Sequence, residues 1–370
     1  MSPEENERLT RVGPGTPAGN MLRRYWWPVG FSETLKDRPE PVRILGEDLI
    51  LFRDGSGRVG LLDRACPHRR ASLELGRVEQ DGIRCCYHGW KFAADGRCLE
   101  MPAEPADSPL AAELRQTAYR TDEAAGLVFA YLGPDPAPQL PRYDLLFRQD
   151  FTRTVGAFIE HCNWLQRAEN AVDQMHSIAL HASVYPEVAL QRPNVTWEQL
   201  WYGVRAAFDV PNRQTKVSHF LFPANSRYFG ARVDDLPSHI LRFRVPTDDT
   251  STKTFYLRAR EARGQGDSIV TQGVTERVRG VYDRVEDEWW GLASRDQDRA
   301  AQESQGLIAD RSRETLATSD RGVVLFRRML VEGIAAVERG EDPPGVVRGS
   351  NAELIVFDAQ KIRDGAVVVA

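Results

Sequence analysis

The chain has 370 residues, beyond the roughly 100–200 of a single domain, so two domains are expected. Its 48 Lys and Arg are outnumbered by 53 Asp and Glu, giving a formal net charge of −5. With no Lys/Arg-rich block anywhere, this excludes the electrostatic footprint of a nucleic-acid binder. Five cysteines, an odd and sparse set, do not make a disulfide framework. No leader-type segment and no apolar run near ~20 residues stands out, so a cytoplasmic protein off the membrane is expected.

Taken in chain order, the segment Gly13-Pro14-Gly15-Thr16-Pro17-Ala18-Gly19 reads as a turn. No strand precedes it, two prolines interrupt it and its last glycine falls one position late, so it is not a dinucleotide fingerprint. Val42–Leu45, Asp48–Phe52 and Val59–Asp63 are short apolar-rich runs separated by the turn residues Gly46-Glu47 and Asp54-Gly55-Ser56-Gly57. Asp95-Gly96 and the run Gly126–Tyr131 continue that pattern, which predicts a small antiparallel β-domain. Prolines 134, 136, 138 and 141 mark a linker near residue 140. Beyond it the periodicity predicts a helix from about Asn163 to Leu180 and strands at Val204–Phe208, Ile240–Val245 and Thr254–Leu257. A last long helix is expected from Ser319-Asp320 to Gly340, and the whole is α+β.

Two clusters carry the chemistry. Cys66-Pro67-His68, sixteen residues, then Cys85-Cys86-Tyr87-His88-Gly89-Trp90 supply two closely spaced Cys/His pairs. Two thiolates can bind one iron of a [2Fe-2S] unit while two neutral imidazoles bind the other, which raises the reduction potential. Structural zinc is the alternative for these residue types, although finger spacings differ. The gap to His88 fits Cys85, so Cys86 is read as a buried thiol, and Cys98 and Cys162 as free core cysteines.

In the second cluster, Asn170, Asp173 and His176 are spaced by three and share a face of the predicted helix. His181 lies about 140° further round an ideal helix, so both histidines reach one metal only if the helix breaks or bulges between them. Two imidazoles and one carboxylate leave open positions on iron, the facial-triad arrangement of non-haem Fe(II) oxygenases.

The order of the two clusters resembles the Rieske non-haem iron oxygenases, in their phthalate dioxygenase-like group. The resemblance runs from Leu9–Pro17 and Arg24-Tyr25-Trp26, through both motifs, to Gln297-Asp298 and Ala309-Asp310-Arg311-Ser312, most of the chain. It implies an antiparallel β Rieske domain over 24–140 and an α+β catalytic domain over 141–370 with a central antiparallel sheet and flanking helices. Residues 1–23 would pack on the catalytic domain or on a neighbouring subunit. Cys66 and Cys85 would bind one cluster iron, and His68 and His88 the other. His176 and His181 would bind a mononuclear Fe(II), with Asp298 as third ligand and Asp296, Glu303 and Asp310 as alternatives. Asp173 resembles the family's bridging aspartate, joining His176 to the partner subunit's His88, so a homotrimer or a stacked pair of trimers follows. Asn170 faces the iron pocket or is an ordinary helix amide.

By the same resemblance, electrons come from NAD(P)H through a separate flavin and iron–sulfur reductase, since the chain offers no nucleotide site or second cysteine cluster of its own. The implied reaction is hydroxylation with O2 of an aromatic, carboxylated or related ring. Oxidative demethylation or monooxygenation on the same scaffold is the alternative, and a Rieske electron carrier without oxygenase activity is a third reading. Arg205 is a candidate for a substrate carboxylate, with a structural ion pair as its other reading. Trp289 and Trp290 line a pocket or pack in the core.

Overall fold

The computed structural model describes residues 1–105, 108–183, 192–209, 215–233, 236–262, 264, 266–282, 292, 294–349 and 354–357. Trp289 and Trp290 lie outside the described residues. Among those described, the chain forms three sheets and seven α-helices.

The first sheet is antiparallel and contains β1 (Trp26–Phe31), β2 (Glu40–Ile44), β3 (Glu47–Arg53), β4 (Val59–Asp63), β9 (Ala118–Ala124) and β10 (Leu127–Tyr131). Their spatial order is β1-β10-β9-β4-β3-β2. The continuous apolar run in β3 follows from period-two alternation between two cores: Leu49 and Leu51 enter the main core, while Ile50 and Phe52 enter a second, smaller one. Leu61 and Leu62 of β4 divide in the same way. The turn between β2 and β3 falls on Leu45 and Gly46, both with positive φ, one residue ahead of the predicted Gly46-Glu47. The second core lies under a four-stranded antiparallel sheet of β5 (Arg77–Glu79), β6 (Gly82–Arg84), β7 (Lys91–Phe92) and β8 (Cys98–Glu100).

The third sheet has eight strands in the order β12-β13-β14-β15-β16-β17-β11-β18. They are β11 (Phe151–Glu160), β12 (Asn194–Leu200), β13 (Gly203–Asp209), β14 (Lys216–Leu221), β15 (Asn225–Val233), β16 (Leu236–Asp248), β17 (Ser251–Glu261) and β18 (Ser268–Thr275). All its pairs are antiparallel except β11 with β18, which is parallel, so the expected antiparallel sheet carries one parallel strand at its edge. Alternation again decides its faces. Leu241, Phe243, Val245, Phe255, Leu257 and Ala259 point into the main core, and the intervening residues of β16 and β17 point to the opposite face.

Seven helices cover the edges and the core face: α1 (Pro3–Thr10), α2 (Pro17–Leu22), α3 (Leu110–Glu113), α4 (Asp144–Phe147), α5 (Trp164–Val172), α6 (Ser294–Ser304) and α7 (Arg321–Glu338). The proline- and glycine-rich segment read as a turn ends in α2, because Thr16 caps that helix by accepting the Gly19 N–H. A Cβ on Gly19 would stand 2.3 Å from the Gly13 carbonyl oxygen, so only glycine lets this segment close. Residues 1–23 lie against the C-terminal half of the chain, with α2 on α7 and Asn6 donating to the Ala309 carbonyl. α7 starts after Asp320, as predicted, but the Asp320 carboxylate accepts the Ala317 N–H of the preceding turn instead of capping α7 itself. Gly340, with φ of 79°, follows its end.

Candidate metal centres

The first cluster sits on two loops built alike. The Cys66 N–H donates to the Ala71 carbonyl and the Cys66 carbonyl accepts from Arg70; the Cys85 N–H donates to the Trp90 carbonyl and the Cys85 carbonyl accepts from Gly89. In each loop the residue four after the cysteine takes a left-handed backbone, Arg70 at φ 62° and Gly89 at φ 74°. Both loops thereby turn back on themselves in the same way. The Cys66 and Cys85 thiols hydrogen-bond one another and are 1% and 3% exposed. The His68 and His88 rings lie 4.5 Å apart, and His68 stacks flat on Trp90 at 4.3 Å. Burial, with Cys85 adding to it, pushes the Cys66 thiol up to about 11, so a cationic partner is needed to hold it as thiolate at neutral pH. Cys86 is exposed, contrary to the buried thiol expected, because the loop turns its side chain outward, while Cys98 and Cys162 are buried as expected.

For the second cluster the helix ends sooner than the spacing predicts. α5 stops at Val172, Asp173 is extended, and Met175–Ile178 form a single tight turn. Two interactions break it. The Asp173 carboxylate accepts the Met175 N–H at 2.7 Å, and the Trp197 indole N–H donates to the Val172 carbonyl at 2.9 Å. Asn170, Asp173 and His176 therefore do not share one regular helix face; the helix breaks before His176, and the chain is also irregular between His176 and His181, as expected, since the tight turn ends at Ile178.

That break brings His176 and His181 together with Asp298 of α6. The ligand atoms of the three lie within 4.8 Å of one another, with His176 Nε2 and His181 Nε2 at 3.5 and 3.3 Å from Asp298 Oδ1. Asp173 Oδ2 stands 3.4 Å from His176 Nδ1, and Asn170 Nδ2 donates to Asp298 Oδ1 at 3.3 Å. Burial alone would raise the Asp298 carboxyl, but the hydrogen bond from His181 and the charges of His176, His181 and Arg167 hold it well below the usual carboxylate range. Burial opposes protonation of His181, and Asp298 and Gln297 outweigh it, so its pKa is raised. The other carboxylates weighed for this role are engaged elsewhere. Asp296 faces Arg277 and Arg299, Glu303 accepts from the His161 and Gly280 backbone and from Tyr282, and Asp310 caps Ser312.

A cavity of about 910 Å³ opens on this triad. Phe158, Tyr228, Ile240 and Tyr256 give it aromatic and apolar walls, and Arg242, Arg244 and Arg258 project from the strand face opposite the core. Arg244 is 3% exposed and donates to Ser226 Oγ at 3.1 Å and more weakly to the Ala224 carbonyl; among the described residues no carboxylate pairs with it. Glu160, whose charge reaches it, is held by Arg167 at 2.6 Å. Burial first, then Arg167 and Arg242, pull the Arg244 guanidinium down to about 9, still charged at neutral pH. Arg205, by contrast, does not line the cavity; it pairs with Glu198 at 2.5 Å, the structural role. The alternation in Leu241-Arg242-Phe243-Arg244-Val245 is the sequence signal that points to the cavity arginines instead.

Residues 25–118 match the Rieske [2Fe-2S] domain, and residues 288–363 match the domain described as LigXa C-terminal domain like. The 5,5'-dehydrodivanillate O-demethylase oxygenase subunit of Sphingobium sp. is 34% identical over 94% of this chain and 84% of its own length. The phthalate 4,5-dioxygenase oxygenase subunit of Pseudomonas putida is 33% identical over 93% of this chain and 89% of its own. The chain belongs to the Rieske oxygenases. Within them it is an oxygenase subunit of the phthalate dioxygenase-like group, hence an oxidoreductase. The fold agrees with that of the caffeine-bound NdmA of Pseudomonas putida CBB5, with a TM-score of 0.69 at 20% identity over 90% of this chain and 98% of that one.

The cofactors of this Rieske oxygenase are a [2Fe-2S] cluster and a mononuclear iron. The residues present fit both. Two buried thiols and two adjacent imidazoles make the mixed donor set of a Rieske cluster, and among the described residues these four do not meet the single-ion spacing that the His176, His181 and Asp298 group does. The zinc alternative falls with the domain match. At the second site, His176 Nδ1 is a buried nitrogen with no well-aligned hydrogen bond among the described residues, and its ring presents Nε2 toward Asp298 and the metal position. As an oxygenase subunit of a multicomponent system, the protein works with a separate reductase on a small molecule. Among the described residues no helix is long and apolar enough to cross a membrane.

Proposed function

We propose that this Rieske oxygenase hydroxylates an aromatic ring bearing a carboxylate, held in the 910 Å³ cavity with its acid group on Arg244. The observation that carries this reading is Arg244 itself. A guanidinium buried without a counter-carboxylate costs several kcal/mol of lost hydration, and an anionic substrate offsets that cost. Arg242, beside it on the same face, reinforces the positive field. Phthalate and phenoxybenzoate, in the names of two relatives, are carboxylated aromatic compounds of this kind. The demethylase relative favours a second reading, oxidative O-demethylation of a ring carrying the same acid group.

In this reading residues 24–140 form the electron-entry domain and 141–370 the catalytic domain. Cys66 and Cys85 hold one cluster iron, His68 and His88 the other, and His176, His181 and Asp298 hold the mononuclear iron. When bound, the cluster supplies electrons singly and the mononuclear iron supplies the chemistry of O2. The side chains do the rest. Asp173, 3.4 Å from His176 Nδ1, backs that ring and faces the partner subunit's His88 in a homotrimer or stacked pair of trimers, Asn170 steadies Asp298 by donating to its Oδ1, and the walls exclude water. The reductase is a flavin and iron–sulfur protein fed by NAD(P)H, and the assembly is cytoplasmic.

The test is steady-state turnover with NADH, a phthalate-type reductase and matched pairs of aromatic acids and their amides. The acids are expected to be hydroxylated or demethylated, and Arg244→Gln to raise KM for an acid by about 30-fold or more while leaving the amide unchanged. Equal KM changes for acid and amide would refute the anion site.

A further inference from the structure

We infer that Gln297 is a positioning residue for the iron site: its side-chain carbonyl accepts from His181 Nδ1–H and so holds Nε2, the nitrogen facing Asp298, toward the metal position. Gln297 Oε1 lies 2.7 Å from His181 Nδ1, while Gln297 Nε2 donates to Ser183 Oγ at 3.0 Å. With the amide N–H engaged by Ser183, the carbonyl faces the ring, and a carbonyl can only accept. His181 must then carry its proton on Nδ1, and its Nε2 is the atom 3.3 Å from Asp298 Oδ1. Gln297 is 2% exposed, so no solvent competes for this contact.

The two histidines are therefore backed differently. His176 has a carboxylate behind it, Asp173, and His181 has a neutral amide. The sequence explains why the acceptor is an amide. Gln297 stands between Asp296 and Asp298, and a third consecutive carboxylate would place another negative charge beside a ligand already ionised. Gln297 supplies the acceptor oxygen without that charge. Asp298 projects to the metal position and Gln297 to the far side of His181, so one turn of α6 serves both the ligand and the partner of its neighbour.

This inference rests on reading His176, His181 and Asp298 as iron ligands, and the experiment separates the two. Cluster-loaded oxygenase, stripped of mononuclear iron by a mild chelator, is titrated anaerobically with Fe(II) against a competing chelator. Gln297→Met keeps the bulk and removes the acceptor, so Kd for Fe(II) is expected to rise about 10–100-fold. Gln297→Glu keeps the acceptor and is expected to stay within about threefold of wild type, with Rieske absorbance and apo-protein Tm unchanged in both. Wild-type affinity in Gln297→Met, while His181→Ala binds no iron, would overturn the inference alone; wild-type affinity in His181→Ala would overturn the ligand reading with it. An equal loss in the Met and Glu variants would show that shape, not the acceptor, matters, and would also overturn it. Should Gln297→Met fail to fold, Ser183→Ala frees the amide to turn and is expected to weaken Fe(II) by about fivefold; no change there overturns the proposal.

Discussion

Trp197 of β12 donates its indole N–H to the carbonyl of Val172, 2.9 Å away, and ends α5 one residue before Asp173. The indole is itself fixed by Gly322 of α7, where a Cβ would stand 2.2 Å from Nε1. The strand edge thus sets where the metal-site helix stops. Trp197→Phe keeps most of the ring and loses this bond, so a cost of about 1 kcal/mol and a Tm lower by about 2 °C are expected. Because Asp173 and His176 follow directly, Fe(II) affinity should fall several-fold as well. Unchanged iron binding with lowered Tm would mean that the break in the helix is maintained by Asp173 alone.

The opposite face of α5 is held by charge. Glu169 accepts from Arg327 Nε at 2.6 Å and from Arg311 Nη2 at 2.8 Å, and Arg311 reaches Asn6 of α1 at 3.2 Å. Arg311 is 2% exposed and, among the described residues, Glu169 is its carboxylate partner. Glu169→Ala leaves that guanidinium buried and unpaired, and a loss of about 3 kcal/mol is expected by chemical denaturation. Arg327 retains Glu314, so Arg327→Ala should not be rescued by combining it with Glu169→Ala, whereas Arg311→Met combined with Glu169→Ala should recover part of the loss. Additive losses in the Arg311 pair would contradict the network.

How much of this was legible beforehand differs by feature. The Cys66/His68 and Cys85/His88 pairs were readable because both loops are local in sequence, and Gly89 in the motif reports the left-handed turn that Arg70 makes in the other loop. His176 and His181 were readable as a pair, but the position of the break was not, since Trp197 comes from a strand some twenty residues on. The parallel pairing of β11 with β18 joins segments more than a hundred residues apart, and no local periodicity announces it. Arg244 was within a strand correctly predicted, yet only the sheet shows that its face carries the cavity. Gln297 was visible beside Asp298, but its role requires the His181 loop to return across α6.

His219 gives the fold a pH dependence of its own. It is 1% exposed, shares a 2.6 Å hydrogen bond with Tyr202, and among the described residues its Nε2, beside Phe357, finds no partner. Burial, then the charges of Arg227 and Arg205, push its pKa down from 6.5 to about 3. The unfolded chain therefore binds this proton more readily, so stability is fully present above pH 6.5 and declines as pH falls toward 3. Between pH 7 and pH 5 the loss from this residue is about 2 kcal/mol. Chemical denaturation at both pH values should show His219→Phe losing less than wild type by about that amount; identical pH slopes would mean His219 is hydrated in solution.

The two metal centres should also come apart chemically, because different cores hold them. Cys66 and Cys85 belong to the smaller core under β5–β8, whereas α5 is embedded in the main core. Anaerobically purified protein is expected to contain about three irons and two acid-labile sulfides per chain. Cys85→Ser should remove the cluster, leaving about one iron, no sulfide and a colourless protein that still binds added Fe(II). Asp298→Ala should do the reverse, retaining the red-brown cluster and both sulfides while losing the third iron, because two imidazoles without the carboxylate no longer close the triad. Zinc without sulfide in the wild type would defeat the cluster assignment. Loss of sulfide in Asp298→Ala would show that the two sites fold as one unit, against the division of cores on which their independence is argued.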